Sequence, residues 1–284
     1  MSPGLQRGED LFQLEGAVWL WTSQVGLSIY DFAFDQFFAC RRPYNRPVEV
    51  GVIARVGALD DYASTYQELQ REGIRLVHSP DEYLRATRLP QWYPLLEDLT
   101  PKSLWFSEPP DPQVVADELG WPIFMKGARQ TSRHKRSLSI IAGPDELRRA
   151  LDHYVEDPIL GWQDVVCRTL APLRPVEDPD PERIPSSYEF RSFWWRGELA
   201  GIGRYWWEGA EYDLREDERA GALGVAREAA RRLNVPFLVV DVAQRTDGEW
   251  IVIECNDGQE SGYAGVSPFA LWQEVVQIER ERSR

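Results

Sequence analysis

Apolar and polar residues alternate in two runs near the C-terminus, residues 237–243 and 249–256, which are separated by Thr246-Asp247-Gly248. Alternation with a period of two predicts β-strands, and an Asp-Gly pair between two such runs predicts a tight hairpin turn, because that turn needs positive φ at both central residues. We therefore predict a hairpin with Asp247-Gly248 as a two-residue loop. A different loop length would shift the pairing by one residue and change which side chains face each other.

Three oxygen-bearing side chains come together in this hairpin if the loop has two residues. Asp241 then lies directly opposite Glu254, and Asn256 shares a face with Glu254 because side chains alternate along a strand. Opposed like charges destabilise a sheet by roughly 0.2–1 kcal/mol, whereas two carboxylates and an amide suit Mg²⁺. The alternative is a pair of solvated acids on an exposed hairpin. Apolar residues on both faces favour a buried hairpin, in which a bound cation offsets the charge.

The first hundred residues follow an α/β pattern. Strands are predicted at 48–54 and 74–77 with a helix at 60–72 between them, which is the order of a parallel βαβ unit. Ser79 is followed by proline and two acids, so we expect it to cap a further helix. The aromatic-rich segment 17–38 shows no clear pattern.

Proline-rich stretches between residues 99 and 112 interrupt this pattern and place a domain boundary near residue 108. Residues 171–187, which are rich in proline and acids, are predicted to form a surface loop. The other predicted elements are helices at 112–119, 145–155 and 213–233, strands at 123–126, 138–141 and 164–168, and a hairpin that turns at Arg196-Gly197.

A run of positive charge, residues 126–136, lies between two predicted strands. A loop that begins at Lys126 and combines further cations with Ser, Thr and Gly backbone donors is suited to clamp a polyphosphate. A solvated basic loop is the plain alternative. Nucleic-acid binding is poorly supported, because His134 is the only ring in the run on which a base could stack.

The hairpin at Arg196-Gly197 brings further charges together. With a two-residue turn, Glu189 faces Arg204, and Arg191 lies on the same face. Arg191 is placed to meet a phosphoryl oxygen while Glu189 holds an arginine or a substrate hydroxyl. The alternative is a cross-strand ion pair that contributes about 0.2–1 kcal/mol.

Composition narrows the class of protein. The 284 residues include 46 acids and 32 bases, and the resulting net charge of −14 argues against a protein that neutralises a nucleic-acid backbone. Cys40, Cys167 and Cys255 lack paired spacing and are expected to be reduced. His78 and the other histidines are expected at surface or capping positions. Because the chain shows neither a signal-peptide pattern nor an apolar run of about 20 residues, we expect a cytoplasmic protein without a membrane partner.

These features occur in one order: a lysine at a strand end, a loop suited to cover phosphates, a further strand, an arginine strand and a final Asp…Glu-x-Asn hairpin. The order resembles the ATP-grasp superfamily over roughly residues 100–268, in particular its RimK-like carboxylate–amine ligases. The resemblance implies an α/β (α+β) fold, with an N-terminal α/β domain at 1–108 and a two-lobed ATP-grasp domain with antiparallel sheets at 109–284. Its small lobe would span about 109–165 and its large lobe about 166–284.

The resemblance also implies roles for individual residues. Lys126 and Arg191 would be the catalytic residues that stabilise the transferring phosphate. The backbone of residues 166–170 would bind adenine. The ligands of Mg²⁺, or of Mn²⁺ in its place, would be Asp241, Glu254 and Asn256. The nucleotide contacts would be Lys126, Arg129, Ser132, Arg133, Lys135, Cys167, Arg168, Leu170, Glu189 and Arg191.

Members of this superfamily use ATP to activate a carboxylate as an acyl phosphate, which an amine or thiol then attacks, releasing ADP and phosphate. The resemblance therefore implies an ADP-forming ligase that acts on a small-molecule or peptide carboxylate and an amine or thiol, with no nucleic-acid partner. Two alternatives stay open: an ATP-dependent kinase on a small molecule or protein, and a non-catalytic nucleotide-binding regulatory module.

Overall fold

The computed structural model describes residues 9–23, 32–43, 51–57, 59, 61–129, 135–176 and 183–284. Within these ranges the strands form three β-sheets, which follow one another along the chain with helices packed against them. A mixed sheet is followed by two antiparallel sheets, and this arrangement confirms the predicted fold class. In the same ranges no helix is both long enough and apolar enough to cross a bilayer.

The first sheet combines an N-terminal hairpin with a parallel βαβ unit. Its elements are β1 (Glu9–Leu14), β2 (Val18–Ser23), α1 (Phe34–Phe37), β3 (Cys40–Arg41), β4 (Gly51–Arg55), α2 (Tyr62–Arg71) and β5 (Arg75–Leu76), and it is followed by α3 (Pro80–Thr87) and α4 (Leu89–Leu96). The strand order is β3-β1-β2-β4-β5, and β4 pairs in parallel with β5 as predicted. The segment 17–38 contains β2 and α1 in its described part.

Ser79 begins α3 as predicted. Its hydroxyl accepts a hydrogen bond from the Glu82 backbone N–H at 3.3 Å, and the Glu82 carboxylate accepts one from the Ser79 backbone N–H at 2.7 Å. This reciprocal capping satisfies two backbone donors that the first turn of a helix leaves without partners.

The second sheet has the strand order β6-β9-β7-β8, and two helices cover one of its faces. Its elements are β6 (Ser103–Phe106), α5 (Pro112–Leu119), β7 (Ile123–Gly127), α6 (Arg136–Ser139), β8 (Ile140–Ile141), α7 (Pro144–Glu156) and β9 (Val165–Thr169). Met125 and Cys167 pack with α5 and α7 on the covered face. The alternating side chains of β7 and β9, including Lys126 and Arg168, therefore point to the opposite face.

Two predictions about this part of the chain need comment. The predicted strand at 138–141 is wrong in its first half, because residues 136–139 form a helical turn that brings Leu138 into the core. A short apolar run does not distinguish a strand from a buried turn. The domain boundary near residue 108 stays a prediction, although β6 lies before it and pairs with β9 in the second sheet.

The third sheet is antiparallel and is buried between two layers. It contains β10 (Glu189–Trp195), β11 (Glu198–Arg204), β12 (Phe237–Gln244) and β13 (Trp250–Asp257) in the order β11-β10-β12-β13, with α8 (Glu216–Leu233) and α9 (Pro268–Arg282). On one face Val240 packs with α8, and on the other Val239 packs with α9 and with residues of the first sheet. All eight residues of β12 are buried. The C-terminal hairpin therefore lies inside the molecule, as the apolar residues on both its faces predicted.

Asp241 faces Glu254 as predicted, but for a different reason. The loop has three residues rather than two, because Arg245 N–H donates to the Glu249 carbonyl at 2.8 Å and Gly248 has a φ of 91°. This longer loop shifts the pairing by one residue. A β-bulge at Ile253 shifts it back, so that Asp241 pairs with Glu254.

The hairpin of β10 and β11 turns at Arg196-Gly197 as predicted, with φ of 49° and 87° at these residues. The predicted pairing of Glu189 with Arg204 is wrong. A bulge after Phe193 shifts the register, so that Arg204 lies opposite Phe190. The Arg204 guanidinium pairs with Glu211 at 2.8 Å instead.

Candidate functional site

A cleft between the second and third sheets brings together the lysine and the carboxylates singled out in the sequence. Lys126 lies near the end of β7, and its ammonium group donates to the Glu254 carboxylate on β13. The Lys126 side chain is only 4% exposed and that of Glu254 17%. Because 128 positions separate the two residues along the chain, this contact ties one sheet to the other.

A second ion pair lies deeper in the cleft. Arg191 on β10 is directly opposite Asp241 on β12, and its guanidinium donates two hydrogen bonds to the carboxylate at 2.9 and 2.7 Å. Burial raises the pKa of Asp241, and Arg191 opposes that shift. Burial favours the neutral form of Arg191, but the Asp241 carboxylate outweighs it, so the pKa of Arg191 is above its ordinary value. Arg191 also donates to the Gly262 carbonyl at 3.0 Å.

Glu189 is a buried carboxyl beside these pairs. It accepts hydrogen bonds from the Ser187 hydroxyl at 3.0 Å and from the Trp206 indole N–H at 3.2 Å. Burial first, and then the negative charge of Asp241, raise the pKa of Glu189 to about 8. At neutral pH this carboxyl is therefore mostly protonated, and it adds little negative charge to the cleft.

The segment expected to bind adenine is largely enclosed by the second sheet. Cys167 and Arg168 lie in β9, which pairs with β6 on one side and β7 on the other. Their backbone groups are therefore committed to the sheet. The Arg168 guanidinium donates to the Ile253 carbonyl at 2.7 Å and so contacts the bulge in β13. Leu170 follows the end of β9, and the adenine contact stays a prediction that rests on its backbone.

The basic run is only partly placed beside Lys126. Arg129 turns away from the cleft toward Glu260, at 3.1 Å, and the Tyr83 hydroxyl. The Lys135 ammonium lies 3.7 Å from an oxygen of Asp157. Ser132 and Arg133 lie outside the described residues. Among the nucleotide contacts expected from this run, the structure thus places Lys126 in the cleft.

The comparison with protein families gives the identity of this arrangement. A family described as an ATP-grasp domain, the third family of its clade, matches residues 116–275, which include the second and third sheets. The chain belongs to this ATP-grasp family. The resemblance inferred from the order of motifs is therefore confirmed.

Solved structures show the same ATP-grasp fold. One is a RimK domain protein ATP-grasp from Sphaerobacter thermophilus DSM 20745, with 14% identity, a TM-score of 0.56 and 81% of each chain covered. Another is a D-alanine–D-alanine ligase from Bacillus anthracis complexed with ATP, with 14% identity, a TM-score of 0.57, and 82% of this chain and 80% of that one covered. No curated protein sequence matches. At this level of identity the likeness shows the fold alone.

The oxygen ligands of this ATP-grasp cleft suit Mg²⁺. Asp241 and Glu254 face each other, and Asn256 lies two residues beyond Glu254 in β13, so that its side chain shares that face. Within the described ranges no group of three or more His, Cys, Asp or Glu side chains is placed to hold a metal. Mg²⁺ does not need such a cage, because it is commonly held by one or two carboxylates together with substrate phosphates and water.

The sequence did not predict a second buried network that supports the ATP-grasp cleft. Arg55 of β4 donates to the carbonyls of Gly258, Gln259 and Ser261 at 2.8–2.9 Å. His78 is fully buried rather than at a surface position, and its Nε2 accepts from the Phe237 backbone N–H at 2.9 Å. Burial lowers the pKa of His78 to about 3, so the ring is neutral. No local motif marks these contacts, because they join residues more than 150 positions apart.

Replacing Glu189 by glutamine is expected to make stability less dependent on pH. The carboxyl has a pKa of about 8 when folded against an ordinary value of 4.5, so the folded state retains a proton that the unfolded state loses. The wild type therefore loses stability as pH rises from about 4.5 to about 8. Across that window the variant should gain on the wild type by up to about 1.4 kcal/mol per pH unit. Urea unfolding at pH 5 and pH 8 measures the gain.

Glu208→Gln provides a matched control for this measurement. Glu208 is exposed and follows Trp206 in the same loop, so its difference from the wild type should be the same at both pH values. A Glu189→Gln difference that does not change with pH would show that Glu189 is ionised in the folded protein.

Proposed function

We propose that the protein is a Mg²⁺-dependent, ADP-forming ligase that activates a carboxylate as an acyl phosphate for attack by an amine or thiol. Membership of the ATP-grasp family supports an ATP-dependent ligase in general. The observation that carries the finer proposal is the meeting of Lys126 on one sheet with Glu254 on another, beside the pair of Arg191 and Asp241. A cation from each sheet and opposed carboxylates are what a nucleotide triphosphate with its metal requires.

The resting cleft is neutralised internally. Each cation assigned to phosphate is paired with a carboxylate assigned to metal: Lys126 with Glu254, and Arg191 with Asp241. Binding of nucleotide and metal then exchanges partners, because phosphate oxygens attract the two cations while the carboxylates become free for Mg²⁺. Neither exchange is favourable alone, since each leaves charges in a buried site without partners. Nucleotide and metal should therefore bind cooperatively.

The chain's own residues supply positioning and charge rather than a nucleophile. Lys126 and Arg191, once released from their carboxylates, neutralise the γ-phosphate as it moves. Arg191 is held in place by the Gly262 carbonyl as well as by Asp241. Bound Mg²⁺ supplies further neutralisation of the phosphate charge. The backbone of Leu170 is the proposed contact for adenine.

The proposed reaction has two steps. An oxygen of the substrate carboxylate bonds to the γ-phosphorus while the bond from that phosphorus to the bridging oxygen breaks, and ADP leaves with the electron pair. The amine nitrogen or thiol sulfur then bonds to the carbonyl carbon while the carbon–oxygen bond to phosphate breaks. The nucleophile loses a proton, and the products are the amide or thioester and free phosphate.

Incubation with Mg-ATP and pools of carboxylic acids and amines or thiols tests this proposal. ADP and phosphate should form in equal amounts, and only when both an acid and a nucleophile are present. A stable phosphorylated product formed without a nucleophile would identify a kinase instead. Tight Mg-ATP binding with no turnover across broad pools would identify a regulatory nucleotide-binding module.

A further inference from the structure

A cavity of about 310 Å³ adjoins the cleft, between the first and second sheets. Its described walls come from α2, α3, the end of β7 and the segment before β9. Ala128 lines it and extends the pairing of β7 with β9, since Ala128 N–H donates to the Asp164 carbonyl at 3.1 Å. Ala128 lies two residues after Lys126, so its side chain points to the same face of the sheet, about 7 Å farther on.

The cavity is separate from the expected adenine contact. Asp164, which lines the cavity, precedes β9, whereas Leu170 follows the other end of that strand. Six residues of extended chain span about 20 Å. The cavity is therefore at the end of the cleft beyond Lys126, where a partner for the activated carboxylate would have to bind.

The walls are apolar and aromatic, and two of these side chains are open to solvent. Leu84 is 37% exposed and Trp162 is 58% exposed, and both line the cavity. Tyr62 and Tyr83 stack with ring centroids 3.9 Å apart and form another wall. A flat or branched apolar group inserted here would cover the exposed part of these side chains.

One arginine in the wall is held in a fixed position. The Arg129 guanidinium lies 5.4 Å from the centroid of the Tyr83 ring and 5.6 Å from that of Trp162. Its Nη2 donates to the Tyr83 hydroxyl and to Glu260 at 3.1 Å. Among the described residues, its Nε and Nη1 have no hydrogen-bond acceptor, so this edge of the guanidinium can take a carboxylate.

Charge in the cavity wall is balanced. Arg88 pairs with Asp164 at 2.9 Å, and Asp61 and Arg129 also line the cavity. Two arginines against two aspartates match a ligand with no net charge that carries both signs. The volume is at the lower end of the range for small-molecule sites, which fits one small molecule rather than a folded partner.

We propose that this cavity binds a free amino acid with an aromatic or branched apolar side chain, as the amine substrate of the ligase. The carboxylate is held by Arg129, the side chain packs against Leu84 and Trp162, and the amino group stays free for attack in the cleft. This inference rests on the proposed function for the role of the amine. Binding of the amino acid can be tested without turnover.

Calorimetric titration of the full chain with L-phenylalanine and L-leucine, in the presence of Mg²⁺ and a non-hydrolysable ATP analogue, tests the assignment. Saturable binding to one site is expected. Phenethylamine, which is phenylalanine without its carboxylate, should bind at least tenfold more weakly. Absence of binding by both amino acids, or equal binding of phenethylamine, would overturn the assignment.

Two variants locate the site. Arg129→Gln should weaken L-phenylalanine binding at least tenfold, whereas Arg148→Gln, which removes an exposed arginine of α7, should not change it. Ala63 is exposed and lines the cavity, so Ala63→Trp should block amino-acid binding without disturbing the core, even where Arg129→Gln fails to fold. Ala63→Trp should leave the affinity for Mg-ATP unchanged. Loss of that affinity would make the cavity part of the nucleotide site and overturn the assignment.

The two proposals fail in different ways. Mg-ATP binding and turnover with other nucleophiles, but no amino-acid binding, would overturn the amino-acid site and leave the ligase. Amino-acid binding that needs Arg129 in a chain that binds no Mg-ATP would support the amino-acid site and overturn the ligase.

Discussion

Asp241→Asn is expected to reduce the affinity for Mg-ATP at least about 100-fold, since a lost metal ligand costs several kcal/mol and each 1.4 kcal/mol is tenfold in affinity. The same change should lower the free energy of unfolding by about 3 kcal/mol, because it leaves the charge of Arg191 buried without its partner. The Arg191 side chain is 12% exposed and that of Asp241 fully buried. Calorimetry with Mg-ATP and urea unfolding measure the two effects.

A second substitution separates these two effects. Adding Arg191→Gln to Asp241→Asn removes the unpaired charge, so the double variant should regain part of the lost stability while it still fails to bind Mg-ATP. Asp247→Asn is the matched control, because Asp247 lies in the turn of the same hairpin with a half-exposed side chain. Full Mg-ATP affinity in a folded Asp241→Asn variant would exclude Asp241 as a metal ligand.

Lys126→Met is expected to change two affinities in opposite directions. Affinity for ATP should fall about ten- to a hundredfold, because hydrogen bonds to a charged group contribute roughly 1.5–3 kcal/mol. Affinity for Mg²⁺ without nucleotide should rise, because Glu254 is no longer paired with the lysine. Calorimetric titrations of ATP and of Mg²⁺, each without the other, measure both changes.

Lys102→Met is the matched control, since Lys102 is half-exposed and pairs with Glu118 on the surface. It should leave both affinities unchanged. If Lys126→Met weakened ATP binding but left Mg²⁺ binding as it was, the exchange of partners in the resting cleft would be refuted. Unchanged ATP affinity would remove Lys126 from the phosphate site.

The C-terminal hairpin shows how far local sequence rules reach. They predicted that Asp241 faces Glu254, but the loop is one residue longer than expected and the bulge at Ile253 compensates for it. The bulge is contacted by Arg168, which lies 85 positions away along the chain. In the neighbouring hairpin a bulge had no such compensation, and the pairing of Glu189 with Arg204 was wrong. Bulges depend on packing against distant residues, so the strand pattern does not reveal them.

The sequence by itself determined the fold class, the family and which side chains are available for chemistry. Alternation with a period of two, Gly and Pro at turns, and the order of charged motifs are local properties that survive without knowledge of packing. The tertiary structure decided the charge state and partners of those side chains. Lys126 pairs with Glu254 and Arg191 with Asp241 because separate strands bring them together, and Glu189 holds its proton because it is buried. Burial and long-range contact set these properties, and neither is a property of a short stretch of chain.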